Sequence, residues 1–147
     1  MNFFTQILQN HVLMVALVGW LSAQVIKIII ELIRHRKLKL QLLMATGGMP
    51  SSHSSLVMSM ATAVGLKYGF NSTFFAMAIV AAFVVMYDAQ GVRRQAGTHA
   101  HIINVILENI ENTGIKLDKN LKELLGHTPL QVIAGAILGI IVAVVMN

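Results

Sequence analysis

Thr46-Gly47-Gly48-Met49-Pro50-Ser51-Ser52-His53-Ser54 is the stretch that decides the reading of this chain. Two glycines and a proline make a turn, serines stand where a helix would start, and a histidine falls in the first helical turn. A long apolar segment follows at once. Backbone N–H groups at a helix start lack intrahelical acceptors and carry partial positive charge, so such a turn suits an anion. An imidazole there can also move a proton near neutral pH. The plain alternative is a capped helix start that happens to carry a histidine.

Working outward, the chain is 56% hydrophobic and 12% charged, with a mean hydropathy of +0.71. Soluble proteins average about 25% charged residues, so the composition points to an all-α integral membrane protein. Segments near Val12–Ile33, Ser52–Leu66, Thr73–Tyr87 and Pro129–Met146 are the candidate spans; the second is short against the roughly 20 residues that cross a hydrocarbon core. Small residues recur in the last three (Ala61, Ala63, Gly65; Ala76, Ala78, Ala81, Ala82; Ala134, Gly135, Ala136, Gly139) and predict a compact bundle of about four transmembrane helices. Between the third and fourth spans, an insertion of about 95–126 carries two amphipathic pieces. Ile102, Ile103, Ile106, Leu107 and Ile110 form the first, and Leu117, Leu121, Leu124 and Leu125 the second. They predict a helical hairpin at the membrane surface. The whole of 1–147 reads as one membrane-embedded domain.

No cleavable signal peptide is expected, since the first charged residue is Lys27. Cysteine is absent, which removes disulfide and thiolate chemistry. In a chain this apolar, the net charge of +5 fits cytoplasmic loops and anionic headgroups, and no nucleic-acid partner is expected. Arg34, Arg36, Lys37 and Lys39 follow the first span, and Arg93, Arg94, Lys116, Lys119 and Lys122 follow the third, whereas only Lys67 follows the second. The positive-inside rule then predicts a multi-pass cell-membrane protein with both termini outside and both basic loops cytoplasmic. Four short spans enclose little volume, which admits a homodimer.

The polar residues of interest gather at one membrane face. Arg34 ends the first span, His53 begins the second, Asp88 and Arg93 follow the third, and His127 precedes the fourth. Two histidines and several cations at one depth describe a site for an anionic headgroup. Simpler roles exist for each: Lys27 with Glu31 as an intrahelical ion pair, Arg93-Arg94 as membrane anchors, and Asp88 as their counter-charge. His99 and His101 are expected on the polar side of the surface helix, and the methionines in packing.

These residues resemble the motifs of the type 2 phosphatidic acid phosphatase superfamily, which includes the vanadium haloperoxidases, and in particular its short divergent bacterial branch. Lys27, six residues and Arg34 match the first motif, with His35 where proline is expected. Pro50-Ser51-Ser52-His53 matches the second, with serine for glycine. The third is split: Arg93 supplies its arginine, and His127 with Pro129, Val132 and Ala134-Gly135-Ala136 resembles its histidine end. His99, six residues after Arg93, is the alternative histidine.

The resemblance implies a lipid phosphate or diphosphate phosphatase that needs no metal or other cofactor. His127 would be the nucleophile that forms a phosphohistidine, and His53 the general acid. Arg93, Arg94, Arg34, Lys27, Ser51 and Ser52 would hold the phosphate, with Gln131 and Asp88 in support. Gln131 stands where the family's aspartate orients the nucleophile. Its amide can hold the ring but supplies no charge, so Asp88 is a candidate substitute. That departure keeps a second class open, a non-catalytic lipid-phosphate binder or transporter. A third is a metal-dependent hydrolase using Asp88 with Glu108 or Glu111 and histidines.

Overall fold

The computed structural model describes residues 2–36, 48–111 and 127–147, and every regular element among them is an α-helix. In chain order these are α1 (Phe3–Leu8), α2 (His11–His35), α3 (Ser52–Tyr68), α4 (Thr73–Gln90), α5 (Val92–Glu111) and α6 (Pro129–Val145). Side-chain caps set four of the starts. Asn10 Oδ1 accepts from Leu13 N–H at 3.2 Å, Ser51 Oγ from Ser54 at 3.3 Å, Ser72 Oγ from Phe75 at 3.2 Å, and Thr128 Oγ1 from Gln131 at 3.4 Å. Each cap satisfies one of the donors that a helix start leaves over. Gly69 ends α3 with φ +89°, a conformation that glycine takes without steric cost.

Two of the described helices, His11–Ile33 and Thr73–Gln90, are long and apolar enough to cross a membrane, and Pro129–Val145 is apolar but shorter. Helix α3, with 17 residues, spans about 25 Å at 1.5 Å per residue. It sits at the centre, packed against α2, α4 and α6, and its buried residues are mainly Ser, Thr, Ala and Gly. The outer faces of α2, α4 and α6 carry exposed Leu, Ile, Val and Phe. Small residues inside and large apolar ones outside are the arrangement lipid favours, because helices associate there by close packing rather than by expelling water.

Glycines set the closest approaches. A Cβ on Gly139 would lie 2.5 Å from the Ser55 carbonyl oxygen and 2.9 Å from Ser59 N, and one on Gly135 would overlap the Ser51 carbonyl. On the α2 side, Gly19 lies so close to Ser59 that a Cβ would collide with its hydroxyl. Three buried hydroxyls of α3 donate locally: Ser55 Oγ to the Gly19 carbonyl at 2.7 Å, Ser54 Oγ to Ser51 Oγ at 3.0 Å, and Ser59 Oγ to the Ser55 carbonyl. A polar central helix is therefore compatible with an apolar surround.

Helix α5 begins at Val92, earlier than the boundary of about 95 read from the sequence, and only Gly91 separates it from α4. A single glycine suffices, since the Gly91 N–H still closes α4 on the Tyr87 carbonyl at 2.8 Å while the poor helix former lets the axis restart. The short α1 has no counterpart among the expected elements. The hairpin's second arm, Leu117–Leu125, lies outside the described residues.

Candidate functional site

Four chain segments meet at the end of the bundle where α3 and α6 begin. The start of α3 is tied to that of α6 by Ser51 N–H donating to the Gln131 carbonyl at 3.0 Å. The end of α4 is tied to the residue before α6 by His127 N–H donating to the Ala89 carbonyl at 3.1 Å. The last turns of α2 are brought in at Gly48, where a Cβ would stand 3.3 Å from both Cγ and Cδ of Lys27. Gly48 has φ +81°, so glycine serves twice there: it takes the left-handed conformation and leaves room for the lysine stem. Then Gly48, Met49 and Pro50 deliver the chain to Ser51, the cap of α3, through a cis Met49–Pro50 peptide.

The rings of His53 and His127 are 6.2 Å apart between centroids and inclined at 65°. His127 is 3% exposed, and Lys27, Ser51 and Ser52 are 4%, 0% and 5% exposed. His127 is thus the histidine brought to His53, whereas His99 lies exposed on α5. Asp88, half-buried, precedes Ala89 in the turn that holds the His127 backbone. Arg34 lies on α2 and Arg93 and Arg94 on α5, but their side chains lie outside the described residues, as does that of Glu111. Among the described residues, no group of three or more His, Cys, Asp or Glu is placed to hold a metal ion.

The sharpest feature is the Gln131 side chain. Its Oε1 lies 3.1 Å from Thr128 N and 3.1 Å from His127 Nδ1. A backbone N–H can only donate, so the amide atom facing Thr128 is the oxygen. An amide oxygen can only accept, so His127 Nδ1 carries a proton. In the neutral ring Nε2 then holds the lone pair. Gln131 thereby holds the His127 ring through its amide oxygen, as expected for a glutamine at this position, and supplies no charge. It does so as part of a capping box, in which Thr128 Oγ1 accepts from Gln131 N–H while Gln131 accepts from Thr128 N–H. Thr128 and Gly48 are absent from the sequence-derived site. The Thr-Pro-Leu-Gln run at 128–131 carries the capping-box spacing that reveals the first.

Chemically, the arrangement offers a buried imidazole with a defined proton, a second imidazole beside it, a buried ammonium, and the N-terminus of α3 at one end of the bundle. Groups of these kinds can bind an anion and attack a phosphorus centre.

Comparison with known proteins identifies the family. YuiD of Bacillus subtilis (strain 168), described as an uncharacterized membrane protein, is 39% identical over 152 residues, covering 96% of this chain and 96% of that protein. No solved structure matches the chain. Residues 8–142 match the family described as divergent PAP2, and with nearly the whole chain so covered, the protein belongs to the divergent PAP2 family.

Proposed function

We propose that this protein is a multi-pass membrane phosphatase that acts on a lipid phosphate or diphosphate through a phosphohistidine at His127, without a metal. The observation that carries the reading is the double acceptor contact of Gln131 Oε1, which fixes the proton on His127 Nδ1. The Nε2 lone pair attacks phosphorus, and the bond from phosphorus to the leaving oxygen breaks. His53 donates its proton to that oxygen. Water then attacks the phosphorus, His53 takes up a proton from it, and the N–P bond breaks to release phosphate and restore the ring.

The phosphorylated ring keeps its Nδ1 proton and so carries positive charge. A neutral amide stabilises that charge less than a carboxylate would, which leaves the N–P bond labile and the second step fast. Lys27 and the N-terminus of α3 hold the phosphoryl oxygens as charge spreads over them. Arg34, Arg93 and Arg94 join them by resemblance. The positive-inside bias places this end of the bundle at the cytoplasmic face of four spans, so the substrate is a lipid presented by the inner leaflet.

The test is phosphate release by purified protein in detergent, with chelator, from a panel of lipid phosphates and diphosphates. Release by the parent and loss on His127→Ala or His53→Ala is expected. No release from any member of the panel removes the catalytic reading. Gln131 in the aspartate position favours one alternative, a lipid-phosphate binding or transport protein on the same scaffold. It predicts headgroup binding without turnover, retained in His127→Ala.

A further inference from the structure

At the end of the bundle opposite the histidine pair, a groove of about 460 Å³ opens between α2, α3 and α4. Its walls are apolar: Leu13 and Ala16 from α2, Met60 and Val64 from α3, and Phe74 and Met77 from α4. Asn10 and Tyr68 line it where α2 begins and α3 ends. Along α3 the lining residues run from Met60 to Tyr68, about 12 Å at the helical rise. That is most of the depth of one leaflet, about 15 Å, in a 30 Å hydrocarbon core. Met60 stands seven residues beyond His53 on α3, about 10 Å from it along the axis, so the groove is separate from the candidate active site.

A cation marks the mouth. The Lys67 Nζ lies 5.4 Å from the centroid of the Tyr68 ring, and Tyr68 in turn packs on Phe74 with centroids 5.3 Å apart. Lys67 is exposed. An apolar channel of leaflet depth with an ammonium at its polar rim has the layout of a phospholipid: chain below, charged headgroup above. We infer that this groove holds one acyl chain of an anionic phospholipid, with Lys67 pairing its phosphate and the phenol of Tyr68 at the level of the ester groups. The occupant is anionic because the cation at the mouth adds an attraction that a net-neutral headgroup answers only in part. This site needs no catalysis at His127.

Trp20 is the single tryptophan of the chain and lies on α2 one turn beyond Ala16, a residue of the groove wall. The full-length protein in uncharged detergent is titrated with phosphatidylglycerol or phosphatidylcholine brominated on the acyl chains, and quenching of Trp20 is read. Saturable quenching is expected, with phosphatidylglycerol half-saturating at a mole fraction about fivefold below phosphatidylcholine, the effect of one lysine at an anionic surface. Lys67→Gln, a change at an exposed position, brings the two lipids together. Equal quenching by both lipids in the parent overturns the inference, as does a preference that survives Lys67→Gln.

Discussion

Replacing Gln131 by leucine removes one oxygen that serves two donors, and the consequences separate cleanly. Thr128 N–H loses its acceptor at 3.1 Å and the capping box opens. The N-cap bond from the residue-131 N–H to Thr128 Oγ1 stays, so this loss is one neutral hydrogen bond, about 1 kcal/mol. His127 Nδ1 loses its acceptor, also at 3.1 Å, and a neutral hydrogen bond of this kind contributes about 1 kcal/mol. That second amount is about a fivefold change in an equilibrium. The bias that holds the proton on Nδ1 shrinks by this factor and the ring gains freedom to turn. The direct assay is ¹⁵N NMR of protein labelled at histidine. In the parent, the His127 ring should show a protonated Nδ1 and an unprotonated Nε2 at a pH where the ring is neutral. Gln131→Leu should mix the tautomers, and phosphate release per folded molecule should fall about fivefold, the rate equivalent of roughly 1 kcal/mol. An unprotonated Nδ1 in the parent would overturn the tautomer assignment, whatever the activity.

Other changes test the remaining parts of the site. Gln131→Glu keeps an acceptor and adds a charge, which favours the protonated ring; because attack needs the neutral ring, the acidic limb of the pH–rate profile should move to higher pH. Lys27→Gln removes the buried ammonium beside Gly48 and should lower kcat/KM by about 10²-fold, the usual effect of losing one donor to a developing anion, with the fold intact by circular dichroism. Exhaustive chelation should leave phosphate release unchanged within error, and restoration of lost activity by one divalent ion would favour the metal-dependent alternative.

Local chemistry was legible in the sequence, and pairing between helices was not. The Gly47-Gly48-Met49-Pro50-Ser51 run announces a turn and a cap, and α3 starts at Ser52. Gly135 and Gly139 fall in a stripe of small residues, and both meet α3 at short range. Ala76 and Ala81 belong to a similar stripe on α4 yet are exposed, because composition says that a face could approach another without saying which face does. Gly19 stands alone among large apolar residues. Its importance appears only once Ser55 and Ser59 are seen opposite it. The site divides the same way. His53 and Ser51 follow from their place at a helix start. The partnership of His53 with His127, 74 positions later in the numbering, rested on resemblance and not on spacing. That the Gln131 amide can hold a ring without supplying charge follows from its identity; that its oxygen is shared with a capping box appears only in the structure.

The same packing that closes the bundle also sets the distance between the two imidazoles, and this can be separated from stability. Gly135 lies one turn beyond Gln131 on α6, and a Cβ there would overlap the Ser51 carbonyl and stand 3.0 Å from Ser54 Cβ. Gly139 lies one turn further from the site, against Ser55 and Ser59. Alanine at either position forces α3 and α6 apart, and overpacking of this kind costs about 1–3 kcal/mol. The two differ in where the displacement falls. At Gly135 it acts on the Ser51–Gln131 backbone bond of 3.0 Å that joins the two helix starts, and therefore on the 6.2 Å between the His53 and His127 rings. At Gly139 it acts one turn deeper. Proton transfer falls off steeply once the groups leave hydrogen-bond reach of the reacting atoms. Gly135→Ala should therefore lose activity per folded molecule well beyond its loss of thermal stability in detergent. Gly139→Ala should lose stability to a similar degree and keep most of its activity. If both variants lose activity only in proportion to the fraction unfolded, the α3–α6 seam is scaffolding alone, and the spacing of the histidines is held by the residues before Pro129 rather than by the helix that follows.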